Sequence, residues 1–194
     1  MAHSYVSSVF HIVFSTKHRM QLIRPDNQSR LWNYLAGIAR NHGMRVLAVG
    51  GTENHVHILM VLPSDMALSD AVRTLKTNSS RWVRETDRFF AWQEGYGAFS
   101  VSPSQLERVK QYIANQPVHH RTHSFEEEFL AMLQAANIGF EPHRVFARFV
   151  PPLKGLQYRW VSSTQRCRAG LISFALRAGR KIGTNVLAVS LGFI

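Results

Sequence analysis

Residues 5–14 alternate between two faces, with Val9, His11 and Val13 on one side and Phe10, Ile12 and Phe14 on the other, which predicts a first strand. Pro25-Asp26 opens a helix, with Asp26 expected as its N-cap. Leu31, Tyr34, Leu35 and Ile38 recur at helical spacing along it, and Asn41-His42-Gly43 ends it on a residue suited to a left-handed cap. Residues 44–49 read as a second strand, and Gly50-Gly51-Thr52 turns the chain into a third. That third strand is the apolar run from Val56 to Leu62, closed by Pro63. A second helix begins at Ser64-Asp65 or at Ser69; Leu68, Val72, Leu75 and Val83 mark its inner side, and Arg73, Lys76, Arg81 and Arg84 its outer one. Residues 96–101 form a fourth strand. A third helix is expected to start with Ser102 as cap, Pro103 in the first turn and Gln105 completing a capping box. It turns Leu106, Val109 and Ile113 inward and stops at Pro117. Ser124-Phe125-Glu126-Glu127 is another capping box, opening a helix to about Ala136 that Asn137-Ile138-Gly139 terminates. This order predicts an α+β fold: a ferredoxin-like or RRM-like split βαβ antiparallel sheet with helices on one face.

The pattern changes near residue 148. Residues 1–147 read as one folded domain, and residues 148–194 as a basic C-terminal extension entered through Pro151-Pro152-Leu153-Lys154-Gly155. No acidic residue follows Glu141, whereas Arg144, Arg148, Lys154, Arg159 and further arginines do. The formal net charge of +11 and the sequence pI near 10.7 bias the partner toward a polyanion, nucleic acid before an acidic membrane surface. No apolar run is long enough to span a bilayer. No secretory signal is visible at the start. The single cysteine, Cys167, excludes an internal disulfide and a cysteine-based zinc cluster. A cytoplasmic protein is expected.

Candidate chemistry begins at His55-Val56-His57. Two imidazoles two residues apart on a strand point to the same face and make a metal half-site. Glu53 shares their parity and is either a group that orients an imidazole or a solvated loop acid. Tyr112 and Gln116 are four apart on the third predicted helix and share a face, with Tyr112 at the edge of the apolar stripe. Tyr5, Tyr34, Tyr96 and Tyr158 are competing nucleophiles, but none has a ligand-type residue one turn away. Lys17, Arg19, Arg73, Lys76 and Arg121 are candidate phosphate contacts, and His119 and His120 read as phosphate contacts or plain surface.

Together these residues carry a resemblance. His55-Val56-His57, Tyr112 and Gln116 resemble the active-site set of the single-tyrosine HUH transposases of bacterial insertion sequences, whose relatives include transposases associated with repetitive extragenic palindromes. Residues 92–102 and the stretch from His119-His120 to Phe129 are similar to that family as well, so the resemblance spans roughly residues 3 to 146. It implies that His55, His57 and Gln116 hold a divalent ion, magnesium or manganese, that grips a phosphate of single-stranded DNA. It implies that Tyr112 attacks phosphorus to give a 5′-phosphotyrosine and a free 3′-hydroxyl, which a second 3′-hydroxyl can reverse as strand transfer. A phenol, with a pKa of about 10, is both a usable nucleophile and a good leaving group. Oxygen-preferring magnesium matches the imidazole pair less well than manganese does. The resemblance further implies hairpin-ended DNA, a homodimer and a place on the bacterial nucleoid.

Other readings give the same residues different work. A histidine-triad hydrolase would continue the alternation with a third histidine, where this chain has Leu59. A non-catalytic single-strand binder on an RRM-like sheet matches the charge but gives the His pair, Tyr112 and Gln116 no role. An HUH nickase or a domesticated transposase would share the chemistry.

Overall fold

In a computed structural model of the chain, the described residues are 5–141 and 145–146. The expected extension 148–194, with Tyr158 and Cys167, lies outside them. The elements run β1 (Val9–Ser15), α1 (Pro25–Asn41), β2 (Arg45–Gly51), β3 (His55–Val61), α2 (Leu68–Val83), β4 (Gly97–Ser100), α3 (Leu106–Ala114), α4 (Gln116–His119) and α5 (Phe125–Ala135). The four strands form one sheet in the order β2-β3-β1-β4, each neighbouring pair antiparallel. This is the split βαβ arrangement, in which each helical crossover leaves room for one strand between the two it joins. No described helix is long and apolar enough to cross a membrane.

The central strand β3 is buried along both faces, and only Val61 at its end is partly exposed. Val56, Ile58 and Met60 join Ile12 and Phe14 of β1 in a core covered by Leu31, Leu35 and Ile38 of α1 and by Val72 and Leu75 of α2. Helices cover this face as expected. The opposite face is covered too, which the one-sided expectation lacked. There Val9 and Leu59 pack against Val109 and Ile113 of α3, with Leu47, Ala48 and Tyr112 at the margin. β2 contributes at this margin through a bulge that adds Leu47 between the pairs Val46–Met60 and Ala48–Leu59. An extra residue breaks the alternation and turns two successive side chains toward α3.

Several helix starts differ from expectation. Arg24, not Asp26, takes the N-cap position of α1, with Pro25 in its first turn. Asp26 instead accepts hydrogen bonds from the Arg24 guanidinium. Ser102 makes no cap bond; its hydroxyl pairs with that of Ser104, residues 103–105 form a 3-10 turn, and α3 begins at Leu106. The helix carrying Tyr112 ends at Ala114, so Gln116 opens α4 and does not continue one helix. The capping box at Ser124 is present as expected, and Gly43 ends α1 with φ 74°.

Gly50 sets how close α3 comes to the sheet. It pairs with His57 across β2 and β3, and a Cβ built on it would lie 2.4 Å from the Ile113 carbonyl oxygen. Because that neighbour is backbone, α3 would have to move. Gly50→Ala is expected to lower stability by about 1–3 kcal/mol, the usual cost of overpacking. Urea unfolding of the variant tests this, and an unchanged midpoint would show that α3 has slack there.

Candidate active site

On the α3 side of β3, His55 and His57 point the same way and are fully buried. Each is held through Nδ1. His55 Nδ1 lies 2.7 Å from Asn54 Oδ1 and 3.1 Å from Thr52 Oγ1, so these side chains of the turn before the strand orient it. His57 Nδ1 lies 2.9 Å from Nε2 of His11 on β1. Both imidazoles therefore turn Nε2 toward a common space.

Glu128 of α5 fills that space. The helix places Phe125, Glu128 and Phe129 on its inner side: Phe125 stacks on the His55 ring at 4.6 Å between centroids, and Phe129 reaches over Gly97 of β4. Glu128 Oε1 accepts hydrogen bonds from the Tyr112 hydroxyl and, at 2.8 Å, from Gln116 Nε2. Its Oε2 accepts from His120 Nε2 at 3.0 Å and lies 3.4 Å from His57 Nε2 and 3.7 Å from His55 Nε2. His120 Nδ1 also faces an acceptor, the His123 carbonyl at 2.9 Å. With both ring nitrogens donating, His120 is an imidazolium paired with Glu128.

Burial lowers the pKa of His11 to about 3 and that of His55 to about 3, with the neighbouring His57 adding to both shifts. Burial works against ionisation of Glu128, but the hydrogen bond from His120, the adjacent His57 and the Tyr112 hydroxyl outweigh it and hold the carboxyl below its ordinary value. Tyr112 moves the other way. Burial, then the charge and hydrogen bond of Glu128, raise the phenol above its ordinary value. His120 is raised: burial opposes its charge, and the Glu128 and His123 contacts overcome it.

The donor set suits a cation. The ligand atoms of His55, His57, His120 and Glu128 lie within 4.8 Å of one another and could hold a metal ion. His57 Nε2 is buried with no hydrogen-bond partner. His55 Nε2 faces Gln116 Oε1 at 3.1 Å while its Nδ1 faces an acceptor, Asn54 Oδ1. Two acceptor atoms at that separation match adjacent ligands of one ion, about 3 Å apart when each is bound at about 2.1 Å.

The structure thus brings together five residues singled out from sequence: His55, His57, Tyr112, Gln116 and His120. His119 joins them at the rim, its ring edge-on to Tyr112 at 5.6 Å. The basic candidates are dispersed. Arg19 pairs with Glu126 at 2.5 Å and lies over the Phe146 ring, holding α5. Lys76 donates to the carbonyls of Gln93 and Gly95, and burial lowers its pKa to about 8. Arg73 pairs with Asp70 at 2.8 Å, and Lys17 and Arg121 are exposed. Two residues at the centre were missed as site groups. Glu128 had a signal, an acid on the apolar side of a helix between Phe125 and Phe129. His11 had a weaker one, a histidine between Val9 and Val13 on a buried strand face.

A tyrosine hydroxyl beside a buried His/Glu donor set, on an antiparallel sheet with helices, defines the class: an α+β protein with a candidate metal centre. The family model described as "Transposase IS200 like" matches residues 4–116, and the chain belongs to that family of transposases. The chain is similar to ISDra2 transposase TnpA of Deinococcus radiodurans, 24% identical over 115 residues, which are 55% of this chain and 82% of that one. It is similar to the transposase for insertion sequence element IS200 of Salmonella typhimurium, 26% identical over 125 residues, which are 60% of this chain and 81% of that one. Among solved structures, a putative transposase from Deinococcus radiodurans R1 is 25% identical with a TM-score of 0.48, the match covering 60% of this chain and 96% of that one. A REP-associated tyrosine transposase bound to a REP hairpin is 16% identical with a TM-score of 0.48, the match covering 62% of this chain and 73% of that one. The family match contains His11, His55, His57, Tyr112 and Gln116, and it ends before His120 and Glu128.

The buried groups set an acid sensitivity. Unfolded histidine takes up a proton near pH 6.5, whereas folded His11 and His55 stay neutral down to about 3. The unfolded chain therefore binds more protons in that window, and stability falls as pH falls through it. Glu128, depressed when folded, adds a further loss below the ordinary carboxyl range. In EDTA, urea midpoints should drop from pH 7.5 to pH 5, and less so in His55→Gln. Parallel pH profiles for the two proteins would contradict this.

Proposed function

We propose that this transposase cleaves and rejoins single-stranded DNA through a covalent bond to Tyr112, the chemistry residing in residues 1–147. The observation that carries the reading is convergence within one chain: the Tyr112 hydroxyl and both strand imidazoles meet at the Glu128 carboxylate. His55 Nε2, His57 Nε2 and Gln116 Oε1 would hold a divalent ion, with Glu128 Oε2 beside them; His120 holds its protons and acts as counter-charge. This mixed set of nitrogen and oxygen donors suits manganese or magnesium. When bound, the ion supplies Lewis-acid polarisation of a phosphate oxygen and orients the scissile group.

The chain's own residues do the rest. Tyr112 Oη attacks phosphorus, and its proton passes to Glu128 Oε1, to which it is already hydrogen-bonded. The bond from phosphorus to the 3′-oxygen breaks, the leaving oxygen takes a proton from water, and Glu128 releases its proton to water, leaving a 5′-phosphotyrosine and a free 3′-hydroxyl. In strand transfer another 3′-hydroxyl gives up its proton to water and displaces Tyr112, which is reprotonated from water through Glu128. The phenol keeps its proton until attack, because burial and the neighbouring carboxylate both oppose a free phenolate. Exposed Lys17, Arg73 and Arg121, with His119 at the rim, supply phosphate contacts in keeping with the net charge of +11. The substrate is hairpin-ended single-stranded DNA, and the working form is a homodimer.

Tyr112→Phe should form no denaturation-resistant adduct with a labelled single-stranded end of the neighbouring genomic element in the presence of manganese. Its binding should stay within about tenfold of wild type, since losing one hydroxyl contact costs about 0.5–1.5 kcal/mol at most. An adduct formed by the variant would move the nucleophile elsewhere. EDTA should stop cleavage while leaving binding measurable by fluorescence anisotropy, and cleavage that survives EDTA would remove the ion from the reaction.

A further inference from the structure

We propose that His11 is a positioning residue: its Nε2 accepts the Nδ1 proton of His57 and so keeps the His57 Nε2 lone pair aimed at the ion. The inference rests on the reading of His55 and His57 as ion ligands. Its basis is geometric. His57 pairs with Val13 across β1 and β3, and His11, two residues along β1, occupies the diagonal position on the same face. The two rings are buried, 5.1 Å apart between centroids and tilted by 34°. The nitrogens stand 2.9 Å apart, a hydrogen-bond distance that leaves room for one proton between them.

That proton has two possible owners, with opposite consequences. On His11, it would make His57 Nδ1 the acceptor and force the other His57 hydrogen onto Nε2, pointing into the donor set and blocking an ion. On His57, it leaves Nε2 as a bare lone pair. Nε2 stands in the donor set 3.4 Å from Glu128 Oε2, so an ion held there needs its lone pair and leaves Nδ1 as the nitrogen that carries the hydrogen. The Phe99 ring of β4 and the Tyr112 ring lie 6.3 and 6.1 Å from the His11 ring between centroids. His55 receives the equivalent service from Asn54 and Thr52, so each imidazole has its own holder on a different segment. A metal-bound histidine is commonly fixed through its second nitrogen in this way.

The test uses the full chain, stripped of metal, as wild type, His11→Gln and His11→Leu. Glutamine presents an amide oxygen that can accept from His57, and leucine presents no acceptor. Long-range proton–nitrogen NMR of the metal-free proteins reads which His57 nitrogen carries hydrogen. Expected is Nδ1–H in wild type and His11→Gln, with that preference lost in His11→Leu. Calorimetric titration with manganese should show His11→Leu binding about 10–100-fold more weakly, and His11→Gln close to wild type. Hydrogen on Nε2 in wild type, or unchanged manganese affinity in a folded His11→Leu, would overturn the proposal. If His11→Leu fails to fold, the wild-type spectrum and the His11→Gln affinity still decide. Wild type taking up no manganese would defeat the ion reading separately, while the spectrum continued to judge the His11 contact.

Discussion

The structure depends on the burial of two imidazoles on the second face of β3. That strand lies inside the sheet, and one side of it is ordinary apolar core. The other side carries His55 and His57 at zero exposure. A buried polar atom without a partner costs roughly 1–3 kcal/mol, so every nitrogen of the pair demands a neighbour. Three of the four ring nitrogens face polar atoms on other residues: Asn54 and Thr52, Gln116, and His11. The fourth, His57 Nε2, faces only the Glu128 carboxylate at 3.4 Å. The elements after β4 are arranged around this demand.

Glu128 is the complement of the pair. One buried carboxylate joins segments far apart in sequence: the strand histidines, the phenol of α3, the amide at the start of α4 and His120 at its end. It is ionised because these donors outweigh its burial, and removing any of them would shift the balance. The break between α3 and α4 belongs to the same geometry. A continuous helix would keep Tyr112 and Gln116 on one line; the kink at Asn115 lets the hydroxyl and the amide approach a single oxygen from different directions. Gly50 completes it, since α3 carries Tyr112 alongside His57 only where the sheet surface offers no Cβ.

Much of this was legible in the chain itself. The alternation in β1, the double apolar character around His55 and His57, Gly43 at the end of α1 and the capping box at Ser124 are local signals, and each reports a local structure. The same locality explains the errors. Ser102 has the composition of a cap, but a 3-10 turn intervenes and its hydroxyl is taken by Ser104. The second helical layer packs on Val9 and Leu59, and the bulge at Leu47 beside it is a departure from period that periodicity cannot register. Glu128 was concealed by its neighbours: Glu126 and Glu127 are surface acids in the same run, and only the spacing to Phe125 and Phe129 separates the buried one from them.

Charge was the least local signal and located the fewest contacts. Lysines and arginines read as a single population from sequence, yet Arg19 and Lys76 are spent inside the fold, tethering α5 and the loop before β4. Their role is architectural, and it bears on the active site through α5, which Arg19 pins over the His pair by its contact with Glu126. A long-range attraction for a polyanion needs only net charge, which any arrangement of the same residues would supply. Holding a phenol against an ion-type donor set needs fixed positions. The chain separates the two: Lys17, Arg73 and Arg121 are exposed, while half-buried Arg19 and Lys76 tether α5 and the loop before β4.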